Sequence, residues 1–148
     1  MRIVMIGRVV ALAGLLALLA VPAIAAEVGL VKTSKGSVHV ERNGQRLAAP
    51  VGTPIEASDV VVTGKDGSAG ITFVDNSRMA LGPGSTLEIT RFDFDQTTHE
   101  GHFDSRLRRG TLSAISGKLA KHSPKEMTVS TRSTILAVRG TDFVVRSR

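Results

Sequence analysis

Residues 128–148 read TVSTRSTILAVRGTDFVVRSR, and this stretch decides the fold class. Two apolar, largely β-branched runs, 135–138 and 143–145, flank Arg139-Gly140-Thr141. Glycine reaches backbone conformations closed to other residues, so the tripeptide reads as a corner joining two strands. The same cadence runs back through the chain. Ala69, Ile71 and Phe73 alternate with Ser68, Gly70 and Thr72, and Val38 and Val40 alternate with Ser37, His39 and Glu41. The pairs Val60/Val62, Met79/Leu81, Leu87/Ile89, Phe92/Phe94 and Phe103/Leu107 continue the pattern. Period-two alternation marks strands with one buried face. Turn formers separate them at Asn43-Gly44, Lys65-Asp66-Gly67, Asp75-Asn76-Ser77, Gly82-Pro83-Gly84-Ser85 and Arg109-Gly110. Such punctuation, roughly every 8 to 12 residues, belongs to all-β folds. Helix is expected only as a turn within 116–121.

The N-terminal segment has a different grammar. Arg2 and Arg8 precede an apolar run at 9–21, followed by Pro22 and Ala23-Ile24-Ala25-Ala26. A basic start, a short apolar centre and a small-residue exit define a secretory signal peptide, cut after Ala25 or Ala26. The run is shorter than the ~20 residues that span a bilayer, and every later apolar stretch is broken within about eight residues. The expectation is a signal peptide at 1–26, export to the periplasm or beyond, and no stable membrane insertion after cleavage.

Cleavage leaves 122 of the 148 residues, enough for one core and one domain, 27–148. With no cysteine, neither a disulfide framework nor a lipid-anchoring thiol is available. Loss of Arg2 and Arg8 lowers the formal charge from +6 to +4. That excess is mild and scattered, and with no Trp, no Tyr and five Phe the chain lacks stacking partners for nucleic acid.

Candidate chemistry is sparse. His99 and His102 flank Glu100-Gly101, but Gly101 makes this a loop and the helical HExxH spacing is missing. Asp93 and Asp95 resemble the start of a calcium loop, yet Thr98 stands where the turn glycine is needed. No Gly-x-Ser-x-Gly and no phosphate loop occur, and Gly82-Pro83-Gly84-Ser85 reads as a β-turn. The expectation is no catalytic residue, no cofactor and no metal ligand. Arg106, Arg108 and Arg109 form a basic cluster, with Arg106 and Arg108 opposite Leu107 across the strand. It serves either as a charged edge that repels unwanted pairing or as an interaction surface. Arg139 is assigned a structural part, its guanidinium tying the corner to loop carbonyls or to a carboxylate such as Asp142 or Asp59, with Thr141 hydrogen-bonding the turn.

The corner at Arg139, Gly140 and Thr141 does not stand alone. Together with Leu107-Arg108-Arg109-Gly110-Thr111-Leu112, Ser116-Gly117-Lys118 and Asp59-Val60-Val61-Val62-Thr63-Gly64, it resembles the signature of the FecR domain, a module of the bacterial cell envelope, over about residues 36–145. The resemblance implies a single all-β domain of short stacked strands, roll- or solenoid-like. The loose strand-and-turn succession between 53 and 90 agrees with that. In the best-known FecR regulators a cytoplasmic segment contacts a sigma factor and one helix crosses the membrane; here only a signal-like segment precedes the domain, so that activity is not expected to carry over. The expectation is a non-catalytic interaction module whose partner is an envelope protein or polysaccharide, and not nucleic acid. The alternative is a periplasmic sensory or regulatory subunit of a cell-surface signalling system, acting through a separate membrane partner.

Overall fold

Residues 24–139 and 142–148 are described by the computed structural model, and the alternating segments form strands throughout. In chain order they are β1 Glu27–Lys35, β2 Val38–Arg42, β3 Gln45–Ala48, β4 Pro54–Glu56, β5 Val60–Thr63, β6 Ser68–Phe73, β7 Arg78–Leu81, β8 Thr86–Phe94 and β9 Gly101–Ile115. Helix α1, Lys118–His122, and a 3-10 turn, Pro124–Glu126, lead into β10 Met127–Ser130, β11 Ile135–Ala137 and β12 Asp142–Ser147. The all-β expectation holds: one curled, mostly antiparallel sheet rolls around a single core. Most of the signal-like segment, residues 1–23, lies outside the described residues, as do Gly140 and Thr141 of the corner.

β9 is the spine. Along one of its edges β7 and then β8 run antiparallel to it, joined by the Gly82-Pro83-Gly84-Ser85 turn. Through these two strands the sheet extends in opposite directions, ending at β3 on one side and β4 on the other. Between β4 and β8 the chain passes repeatedly from one half of the sheet to the other, which is the winding that the 53–90 interval foreshadows. Along the other edge of β9, β10 pairs in parallel with residues 103–106 and β12 pairs antiparallel with residues 110–115. Residues 107–109 fall between those two partners.

Two bulges interrupt the pairing of β8 with β9. In β8 the register slips between Ile89 and Arg91, so Thr90 and Arg91 both face solvent and burial resumes at Phe92. In β9 the buried phase 103, 105, 107 changes to 112, 114 across Arg108-Arg109-Gly110. One extra residue reverses the inward face, because side chains alternate with period two. Gly110 takes φ +96°, and a side chain there would collide with Ser85.

The inward faces meet in one cluster that includes Phe73, Phe92, Phe103, Leu107, Leu112, Met127 and Val129. The Phe73, Phe92 and Phe103 rings lie 4.6 to 5.7 Å apart, centroid to centroid. Fully burying each such side chain stabilises by about 1.5–3 kcal/mol, and each ring pair adds roughly 0.5–1.5 kcal/mol. In the absence of disulfides this core holds the domain.

Candidate functional site: a basic notch beside the spine strand

Three breaks in the pattern coincide at residues 107–109. The β9 bulge lies there, β10 ends alongside Arg106, and β12 ends alongside Gly110. Arg106, Arg108 and Arg109 are exposed, with Arg106 and Arg108 outward on either side of the buried Leu107 as expected from the alternation. The structure adds arginines that the cluster in sequence does not contain. Arg132 sits in the turn after β10, Arg146 lies opposite Thr111, and Arg148 follows Ser147, whose hydroxyl donates to the Arg108 carbonyl over 3.4 Å.

Of these arginines, Arg106, Arg108 and Arg132 line an open groove of about 460 Å³ together with Thr131. A second hollow of about 410 Å³ shares Arg106, Thr131 and Arg132 and adds Thr90, Ser133, Thr134 and Ile135. The Thr131 N–H donates to the Thr134 carbonyl over 2.8 Å, so the intervening turn holds Arg132 in place. Arg108 is bound on one side, donating to Glu88 Oε2 from Nε at 3.1 Å and from Nη2 at 2.8 Å. Arg106, Arg109, Arg132, Arg146 and Arg148 have no ion-pair partner among the described residues.

The histidine and aspartate candidates are placed elsewhere, at the β8–β9 hairpin. His102 lies between two carboxylates, with Nδ1 3.1 Å from Asp93 Oδ1 and Nε2 2.9 Å from Glu126 Oε2. The ring therefore bridges the hairpin to the 3-10 turn, its two nitrogens directed to different partners, while His99 stacks on Phe94 at 6.0 Å. Partial desolvation pushes the Asp93 carboxyl up, but the hydrogen bonds and charges of His102 and Arg91 outweigh it, and its pKa lies below the ordinary value. Asp95 caps the turn: the Thr98 and Thr97 N–H groups donate to its Oδ1 at 3.0 and 2.7 Å and lower its pKa. Among the described residues no group of three or more His, Asp and Glu converges in a metal-binding arrangement.

Arg139 is exposed. Asp59, one carboxylate considered for it, is instead bound by Arg42. Arg42 Nε donates to Oδ1 at 2.8 Å and Nη2 to Oδ2 at 2.6 Å, while the Glu56 N–H also donates to Oδ2 at 2.8 Å. Hydrogen bonding to Asp59 raises the already high Arg42 pKa. Arg42 also pairs with Glu56 at 2.8 Å, so one guanidinium pins the start of β5 to the ends of β2 and β4.

The family model described as FecR protein matches residues 59–148, more than half of the chain. The chain belongs to the FecR family. No curated protein and no solved structure matches it. The FecR match begins at Asp59, later than the resemblance from about residue 36, and takes in β5 to β12.

Several FecR signature residues, Asp59, Thr63, Thr111 and Gly117 among them, fasten the roll. Thr63 Oγ1 donates to the Gly82 carbonyl at 2.7 Å and accepts from the Ser85 N–H at 2.9 Å. Ser85 Oγ in turn accepts the Thr111 N–H at 3.0 Å and donates to the Thr111 carbonyl at 3.2 Å, closing the corner between β7 and β8 against the bulge. A second clasp lies at the other end of β7. Asp75 accepts from the Ser77 N–H at 3.0 Å and the Ser77 hydroxyl at 2.6 Å, and the Gly117 N–H donates to Ser77 Oγ at 3.0 Å. Gly117 is glycine because a Cβ there would overlap the Asp75 carbonyl oxygen and the Ser77 nitrogen. The buried Asp59, Asp75, Ser77 and Ser85 are thus occupied inside the fold, and the arginines of the notch face outward.

Proposed function

We propose that this FecR protein is an exported, non-catalytic binding module of the bacterial cell envelope that works in the periplasm through its basic notch. The observation that carries the reading is one groove lined by Arg106 and Arg132, which have no ion-pair partner among the described residues, and by Arg108, brought together from β9 and the turn after β10. Guanidinium groups recognise oxyanions through paired N–H donors, and an ion pair left unmade on a folded surface is available to a partner. The partner is an envelope protein or polysaccharide presenting negative charge. FecR membership supports the envelope setting, and among the described residues no helix is long and apolar enough to cross a membrane. The occupied signature residues support binding over catalysis.

A second reading has its own observation. β11 and β12 each pair along one edge only among the described residues, and Ile135 and Val144 are 76% and 70% exposed. Such edges suit strand addition by another protein, as a regulatory subunit contacting a separate membrane partner requires. Photocrosslinking in cells tests both. A photoreactive residue at Ser133 reports on the notch, one at Val144 on the β12 edge, and one at Gln45 on the distant β3. The notch reading expects a specific adduct from 133. An adduct from 144 alone favours the regulatory reading, and adducts from neither sink both.

A further inference from the structure

We infer that the notch takes a linear acidic glycan, a sugar chain bearing carboxylate or phosphate groups. This rests on the proposed binding role of the notch and adds the chemistry of the partner. Four features of the site lead to it.

The first is the kind of charge. Every cation lining the notch is an arginine: Arg106, Arg108 and Arg132. A planar fork takes a carboxylate or phosphate by two parallel N–H bonds, whereas lysine offers a point charge. Of the neighbouring acids, Glu88 is already committed to Arg108, and Asp104, which lines the second hollow, accepts the Thr128 hydroxyl at 2.6 Å. The second is length. Arg106 and Arg108 are two residues apart on one strand, roughly 6.6–6.8 Å, and the two hollows adjoin, sharing Arg106, Thr131 and Arg132 in their walls. A single small anion fills neither, while an extended chain with repeated charges lies along both.

The third is the wall between the charges. Thr90, Thr131, Ser133 and Thr134 present hydroxyls, which donate and accept and so match the hydroxyls of a sugar. The fourth separates a glycan from other polyanions. Phe73, Phe92 and Phe103 are buried in the core, and Phe94 and Phe143 pack against it. With no Trp or Tyr in the chain, the notch offers no stacking platform for nucleic-acid bases. It also lacks the buried aromatic anchor around which protein interfaces concentrate their affinity; only Ile135 is apolar at its rim.

The test titrates the purified protein with labelled polygalacturonate, phosphate-substituted dextran, unsubstituted dextran, polyglutamate and oligothymidylate. Binding is expected to one or both charged glycans and not to plain dextran, the two charged arms telling carboxylate from phosphate. Polyglutamate and oligothymidylate should bind about tenfold more weakly or worse. R106A and R132A should each weaken glycan binding about tenfold, the scale of one lost charge-assisted contact. R106K and R132K, which keep charge but lose the fork, should fall between, and R46A on the far strand β3 should bind normally. Raising the salt from about 0.05 to 0.5 M should weaken binding further, as screening shortens the reach of surface charges. All variants should keep the parental melting temperature, because the side chains are exposed. Equal or tighter binding of polyglutamate or oligothymidylate overturns the inference, as does charged-glycan binding indifferent to R106A and R132A. Failure to bind either charged glycan, with a protein adduct still forming at Ser133 in cells, overturns the inference and leaves the binding role standing; failure of both removes the binding role too.

Discussion

Changing Arg42 to alanine strips the cation from a buried carboxylate, and the size of the effect follows from the geometry. Asp59 is 1% exposed and takes two N–H bonds from Arg42 and one from the Glu56 backbone. After R42A only the backbone donor remains. Removing one member of a buried ion pair costs about 3–5 kcal/mol. The Arg42 side chain is 23% exposed, so water enters the vacated space and rehydrates part of the carboxylate. A loss of about 2–4 kcal/mol is therefore expected, a large share of the roughly 5–15 kcal/mol that holds a domain together. Arg42→Lys keeps the charge without the fork and should lose about half as much. Urea denaturation followed by circular dichroism at neutral pH measures each stability. The double variant R42A/D59A should be less destabilised than the sum of the single variants by about 1–3 kcal/mol, since the partners are in contact. A loss under about 1 kcal/mol for R42A, or strict additivity in the cycle, would refute the view that this clasp organises the start of the FecR match.

Other expectations concern separate parts of the molecule. Gly117→Ala forces a methyl group against the Asp75 carbonyl and the Ser77 nitrogen; it should cost about 1–3 kcal/mol in the same urea assay, as overpacking does, and a change below about 0.5 kcal/mol would contradict the clasp. Asp93 and Asp95 have folded pKa values below their unfolded values, so their contribution is present above about pH 3.9 and is lost as pH falls through the lower folded values. Amide exchange at Thr97 and Thr98 should accelerate in that acid range relative to core amides, and Asp95→Asn should abolish the dependence; a flat profile in the parent protein would show that Asp95 does not hold the turn. R106A and R132A should each reduce acidic-glycan binding about tenfold while leaving urea stability unchanged, and an equal loss with R46A would point to net charge in place of a site.

The fold was legible wherever the inward face keeps its phase. In β6, Ala69, Ile71 and Phe73 alternate without interruption, and all three are buried as the pattern requires. In β8 the pairs Leu87/Ile89 and Phe92/Phe94 look like two segments because Thr90 adds a residue between them; the phase change is the sequence trace of a bulge within one strand. The same signal, Leu107 inward and then Leu112 inward across Arg108-Arg109-Gly110, marks the break in β9. Pairing partners are a different matter. Nothing local makes β10 run parallel to β9, and the Arg42–Asp59 bond joins residues 17 apart through a turn geometry that composition does not encode. The notch was half legible for that reason. Arg106, Arg108 and Arg109 are close in sequence, whereas Arg132 joins Arg106 and Arg108 at the groove only through the register of β10.

The most direct test of the notch as the working surface is the yield of the Ser133 photocrosslink in cells carrying the charge-reversed pair R106E/R132E. With the arginine fork as the recognition element, the adduct should disappear while the purified double variant melts within a few degrees of the parent. An undiminished adduct in a correctly folded R106E/R132E protein would contradict it and move the function to another face of the roll.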